Sequence, residues 1–177
     1  MAKMMAPNTR IDFIPDGGFV NAAEPTAAEL NAGTNLSAAI TTGYTLGFTE
    51  SDTDDSKSII DEANVATPTR DNYEATLTFF MAPESEGSDD PVERAYQEAE
   101  TLFNTDDRVT GWLVMRVGYK ANVDYAEGQE ISLFRVTSDM RRISSDDGAP
   151  IMMEVPFLQQ GEAYGNIPVV ADPDPAN

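Results

Sequence analysis

Alternation of apolar and polar positions marks out strands along most of this chain, and only one long stretch repeats at helical spacing. Ile11 to Ile14 reads as a short strand ended by the turn signal Pro15-Asp16-Gly17-Gly18. Strands are predicted at 58–67 and 70–81, joined at Pro68. In the second, Tyr73, Ala75, Leu77, Phe79 and Met81 share one face while Glu74, Thr76, Thr78 and Phe80 share the other, the pattern of a half-buried antiparallel strand. From Val109 to Tyr119, Leu113, Met115, Val117 and Tyr119 oppose Trp112, Val114 and Arg116, so both faces are largely covered. Glu130 to Met140 is a further strand in which Arg135 sits among Ile131, Leu133, Phe134 and Val136. A cation in that company suggests a carboxylate partner, and a place on the surface is the simpler expectation. Ile151 to Leu158 and Ile167 to Val170 are the last two predicted strands, separated by Gln160-Gly161 and Gly165-Asn166.

The helical stretch begins at Asp90 as N-cap with Pro91 in the first helical position. Val92, Ala95, Tyr96, Ala99, Leu102 and Phe103 then recur at three- and four-residue steps. Such a stripe packs on the protein's own sheet. A second, two-turn helix is marked by capping-box spacing, Thr26-Ala27-Ala28-Glu29, with Gly33 as its stop; it is short and alanine-rich, which predicts an ordered surface connection. Between the strands, 41–58 reads as a long loop, most polar from Glu50 to Ser58, and Pro83 to Asp90 as an acidic one. Asp52, Asp54 and Asp55 superficially resemble a calcium loop, but Lys57 stands where its sharp turn needs glycine and Ala63 where it needs glutamate. The prediction is a single mainly β domain over 1–177: an antiparallel β-sandwich with one flanking α-helix, an N-terminal arm at 1–10 and a tail at 171–177 that is disordered or exchanged.

Composition narrows the chemistry. The 177 residues include 31 acidic side chains against 11 basic ones, a formal charge of -20, with no histidine and no cysteine. That removes imidazole proton shuttles, His-liganded metals, thiolate nucleophiles and disulfides, so no catalytic, cofactor-binding or metal-ligating residue is expected. No apolar run approaches membrane-spanning length, and Met1 to Arg10 lacks a signal-peptide core, so folding in a cytoplasm without membrane attachment is expected. The charge is uneven: -2 over 1–40, -4 over 41–70, -10 over 71–107, +2 over 108–142 and -6 over 143–177. Opposed local signs suit subunits that meet one another, and overall acidity repels nucleic-acid phosphates.

The stretch from Glu24 to Thr34 followed by a Thr/Gly/Tyr segment, then Asp61 to Asn64 leading into Thr67 to Glu74, the single long helix and Phe157 to Gly161 give an order of features that resembles the tail tube proteins. These are the major tail subunits of long-tailed, siphovirus-type phages of actinobacteria. The resemblance implies a virion protein that forms six-membered rings, whose inner strands close into one barrel. The rings stack around a tape-measure protein, meet tail terminator and distal tail proteins, and pass DNA without binding its sequence. It also implies assembly in the host cytoplasm, with residues 1–10, 41–58 and 171 onward carrying ring-to-ring contacts. Glu74, Glu130 and Glu154 are then the strand acids with a claim to face the lumen. Two other readings stay open on the residues themselves: another virion module, such as a tail terminator, head decoration or adhesin-like sandwich, and a hydrolase built on those same three carboxylates.

Overall fold

A computed structural model of the chain describes residues 8–56, 66–82 and 89–173. Eight strands run through it: β1 (Thr9–Pro15), β2 (Thr34–Asn35), β3 (Thr45–Asp54), β4 (Thr67–Phe80), β5 (Thr110–Val117), β6 (Glu130–Ser138), β7 (Arg142–Ser144) and β8 (Met152–Pro168). Two helices accompany them, α1 (Ala27–Asn31) and α2 (Pro91–Phe103). All the strands belong to one sheet in the order β2-β1-β5-β6-β8-β4-β3, with β7 also on β8, and every strand pairing is antiparallel. The mainly β antiparallel class predicted from the alternation is what the chain forms.

The sheet curls enough for its distant strands to share one core. Ile11 and Phe13 of β1 pack in the same cluster as Leu77 and Phe79 of β4, Val136 of β6 and Val155 of β8. The segment 36–41 crosses between the two margins: Leu36 N–H donates to Ile11 C=O, Phe80 N–H donates to Ala39 C=O, and Ile40 forms a lone bridge with Phe79. The ladder itself stays open in the single chain. Helix α2 closes this first core, capped by Asp90 and buried through Ala95, Ala99 and Phe103. Val92, placed in the predicted stripe, is instead exposed. The Phe103 ring lies 5.3 Å from Phe13, 5.5 Å from Phe79 and 5.3 Å from Phe157, so one side chain ties the helix to β1, β4 and β8.

On the opposite face a second core gathers Ile14, Trp112, Val114, Ile131 and Leu133. Its lid is α1, whose capping box is complete: Thr26 Oγ1 accepts from Glu29 N–H, and Glu29 accepts from Thr26 N–H. Far from being a surface connection, α1 buries Leu30 completely in this core. Its few apolar residues underweighted that role, because which face a two-turn helix turns inward is settled by what lies beneath it.

Three further differences separate the strands from their prediction. Residues 45–54, expected inside a loop, pair with β4 as β3; an edge strand that turns only Leu46 and Phe48 toward the core carries little apolar alternation to read. The ladder passes through Pro68, opposite Thr53, where bulges between Thr49 and Thr53 absorb the irregularity, so no junction falls there. The two last strands are one: β8 runs 17 residues, and Gly161 (φ 81°) and Asn166 (φ 51°), residues of turn type, serve as kinks inside it where the β6 register slips. The predicted strand at 58–67 and the loop at 83–90 fall mostly outside the described residues, as do the beginning of the N-terminal arm and residues 174–177. The described part of the tail is anchored: Val170 N–H donates to Pro25 C=O, and Asp172 accepts from Ala28 N–H.

Candidate functional site

Both faces of the sheet are covered around β1, β5 and the start of β6, but among the described residues nothing covers the face of the second core over β3, β4, β7 and the first half of β8. Alternation decides which side chains line it. Since Tyr73, Ala75, Leu77 and Phe79 point into the first core, Glu74, Thr76 and Thr78 point the other way. Pairing of Thr78 with Glu154 and of Thr76 with Pro156 continues that surface onto β8, and Arg142, opposite Glu154, extends it to β7. The result is a sheet surface of hydroxyls, small residues and a few charges, with Glu154 partly screened by Arg142 at 3.7 Å.

Of the three predicted strand acids, Glu74 and Glu154 share this face. Glu130 does not: it stands opposite Pro168 at the far end of the β6–β8 ladder, and its alternation places it with Ser132, Phe134 and Val136. Glu74 and Glu154 are four residues apart along the β4–β8 ladder, about 13 Å at about 3.3 Å per residue. A retaining or inverting glycosidase holds its carboxyls about 5 to 9.5 Å apart, so this spacing does not make a hydrolytic pair. The aspartates that superficially resembled a calcium loop are partly strand residues: Asp52 and Asp54 lie in β3, and Asp54 accepts from Ser56 N–H and Oγ.

Beyond Ala75, β8 parts from β4, and side chains replace the missing ladder bonds. Tyr73 N–H donates to Gln159 Oε1, Gln160 N–H donates to Tyr73 Oη at 2.8 Å, and Tyr73 Oη–H donates to the Arg135 carbonyl. Burial raises the Tyr73 phenol above its usual range. The gap that opens is a polar groove of about 430 Å³ between Arg70, Asp71 and Asn72 on one side and Gln159, Gly161 and Ala163 on the other. Arg135 finds the carboxylate partners its surroundings predicted, Asp16 at 3.2 Å and Glu162 at 3.7 Å.

A buried charged cluster escaped the sequence reading. Arg10 and Asp12 alternate with Ile11 and Phe13 on β1, facing Arg116 of β5, and all three are almost wholly buried. Arg10 grips the Asp12 carboxylate through Nε at 2.9 Å and Nη2 at 2.8 Å. Arg116 donates to the carbonyls of Lys120 (3.0 Å), Val123 (2.7 Å) and Asp124 (3.1 Å) and to Gln129 Oε1 (2.9 Å). Both guanidinium groups lie over the Tyr125 ring, at 4.5 and 4.7 Å from its centre. Burial, and then the Asp12 charge, push the Tyr125 phenol well above its usual value. These contacts pin the loop 118–128 to the sheet. The available signal was a charge at an inward position of a strand, Arg116 in phase with Trp112 and Val114.

Comparison with known proteins follows the architecture. A family model described as phage tail tube protein matches residues 1–172. Among curated proteins no relative matches. A chain in the six-fold symmetrised cryo-EM structure of the anti-feeding prophage baseplate aligns over 93% of this chain and 97% of its own, with 10% identity and a TM-score of 0.51. The SPP1 tail tube, solved as a hybrid of solid-state NMR and cryo-EM, aligns over 94% of this chain and 81% of its own, with 9% identity and a TM-score of 0.52. At such identities these two matches report a shared fold.

Proposed function

Because the chain belongs to the phage tail tube protein family, structural components of the virion tail, we propose that it builds six-membered rings whose bare sheet faces together line a conduit for DNA. The observation that carries this reading is the face left uncovered by the described residues over β3, β4, β7 and the first half of β8, in a molecule that covers both faces around β1, β5 and the start of β6. Small and hydroxyl-bearing residues such as Thr76, Thr78 and Pro156, with Glu74 among them and Arg142 held by Glu154, give a wall with little free basic charge to hold phosphates. Ring closure across subunits also removes the exposed margin of β3, an edge that invites uncontrolled pairing in an isolated chain. A related fold in a six-fold symmetric assembly supports that ring number.

In this reading the rings stack around a tape-measure protein, and a tail terminator and distal tail proteins meet the two ends. The subunits assemble in the host cytoplasm of an actinobacterial, siphovirus-type phage. The β3–β4 hairpin and the chain ends lie where neighbouring rings meet. Purified protein at high concentration should form rings and tubes in electron micrographs, with class averages of six-fold symmetry. A chain that stays monomeric even with a tape-measure partner overturns the reading.

A further inference from the structure

The turn that follows β1 is held in place by hydrogen bonds and yet presents a valine wholly to solvent. Val20 is 98% exposed. Its backbone N–H donates to Glu29 Oε1 at 2.8 Å, while the other Glu29 oxygen accepts from Thr26 N–H in the α1 capping box. Gly18 N–H donates to Pro15 C=O, and Asn21 accepts twice, through its carbonyl from Glu24 N–H and through Oδ1 from Ala23 N–H. Phe19 anchors the turn against Trp112, their ring centres 5.9 Å apart. The result is a rigid apolar knob on the face of the second core. On the other side of the sheet, Thr9, Ile11, Ile40, Thr41, Thr42 and Tyr44 line a cavity of about 180 Å³ without a charged residue. An apolar cavity of about 150 Å³ is enough to hold a benzene ring, so this one has room for an isopropyl group.

We propose that Val20 of one copy enters this cavity on the adjacent copy within a ring, an inference that rests on the ring reading above. Placement excludes the same copy. The knob stands over β5 and β6, in the middle of the sheet order, where Phe19 meets Trp112 and Asp16 pairs with Arg135. The cavity lies at the seam where the outer margins β1 and β3 approach, bridged by 36–41. Ile11 points into the first core and Phe19 packs on the second, so the sheet itself separates hole from knob. Because the two lie on different flanks, the contact is heterologous, and repeating it around a closing rotation yields a ring. Tyr44 directly precedes β3, so the cavity adjoins the margin that ring closure covers. Charge favours the same pairing. Copies of net charge -20 repel one another, whereas the cavity is uncharged and the acids nearest the knob are engaged, Asp16 with Arg135, Glu24 with Asn21 and Glu29 with the backbone. A knob already fixed in position loses little freedom on docking.

Val20→Asp should leave the denaturation midpoint of the monomer unchanged, since the side chain touches nothing in its own copy, and raise the protein concentration needed for ring formation about tenfold or more. The chain contains no cysteine, so single-thiol variants report the contact directly. Val20→Cys and Thr42→Cys proteins, purified separately, mixed, assembled and oxidised, should give a disulfide-linked dimer about tenfold above a mixture of Val20→Cys with Glu127→Cys, an exposed site on the loop 118–128. Thr9→Cys is the second acceptor should Thr42→Cys disturb folding. Rings that form from Val20→Asp at the parent concentration overturn the inference and leave the ring reading standing. Lost assembly without linkage above the control at either acceptor overturns it as well, by showing that the valine docks elsewhere. So does a Val20→Cys/Thr42→Cys chain that closes its own disulfide as a dilute monomer. A parent chain that never assembles removes the ring reading and the inference together.

Discussion

Single residues do the work of joining where the backbone ladder fails. Tyr73 is the example: its N–H and its hydroxyl both bond to the Gln159-Gln160 stretch, so the point where β8 leaves β4 has no orphaned polar group at that tyrosine. Tyr125 plays a related part under the loop 118–128, buried beneath two guanidinium groups. Burial raises its phenol, as it does that of Tyr73, so both favour the folded chain at alkaline pH. The unfolded chain releases these protons near pH 10 while the folded one retains them. The stabilisation is therefore complete below about pH 10 and declines above it, at up to about 1.4 kcal/mol per pH unit for Tyr125. Chemical denaturation at stepped alkaline pH should show this slope, and Tyr125→Phe should flatten it; a slope unchanged by that substitution means the phenol is not held neutral.

At the scale of elements, α2 contributes by where it is anchored more than by its own helicity. Thirteen residues make a marginal helix alone, and Phe103 at its end is what fixes it, through rings on β1, β4 and β8. Phe103→Ala should cost about 4 kcal/mol in denaturant unfolding, since the cavity opens where three strands converge. A loss under about 1 kcal/mol would show that the curled sheet holds together without its helix. The kinked β8 makes the opposite point about elements. Gly161 and Asn166 carry positive φ inside a continuous strand, and residues that usually end strands here bend one. Bending lets β8 pair with β4 over its first part and with β6 over the rest.

For the whole molecule, the net charge of -20 is distributed with a purpose that the fold makes visible. Seven acids, from Asp89 to Asp107, lie on α2 and its flanks, over the first core, on the opposite side of the sheet from the bare face. The bare face holds few charges, and Glu74 is the exposed acid at its centre. In the tube reading, Glu74→Lys places a ring of lysines where DNA passes. Tubes should assemble unchanged while DNA ejection slows, whereas Glu130→Lys, at the far end of the ladder, should leave ejection as it was. Ejection rates from particles carrying each variant check this, and equal rates would move Glu74 off the lumen wall.

Local pattern alone determined the antiparallel strands with inward and outward faces, both helix caps and the absence of imidazole and thiol chemistry. Each depends on neighbours within a few residues or on composition, which the chain carries openly. Tertiary structure decided what depends on partners distant in sequence. β3 exists because β4 offers it an edge, and β8 continues through Gly161 because β4 and β6 hold its two parts. The guanidinium groups of Arg10 and Arg116 are buried because Asp12, Tyr125 and the carbonyls of a loop more than a hundred residues from Arg10 enclose them. The same holds for the candidate site. Glu74, Glu130 and Glu154 look equivalent as strand acids, and only the curl of the sheet, which covers one half of a face and bares the other, separates the first and last from the second.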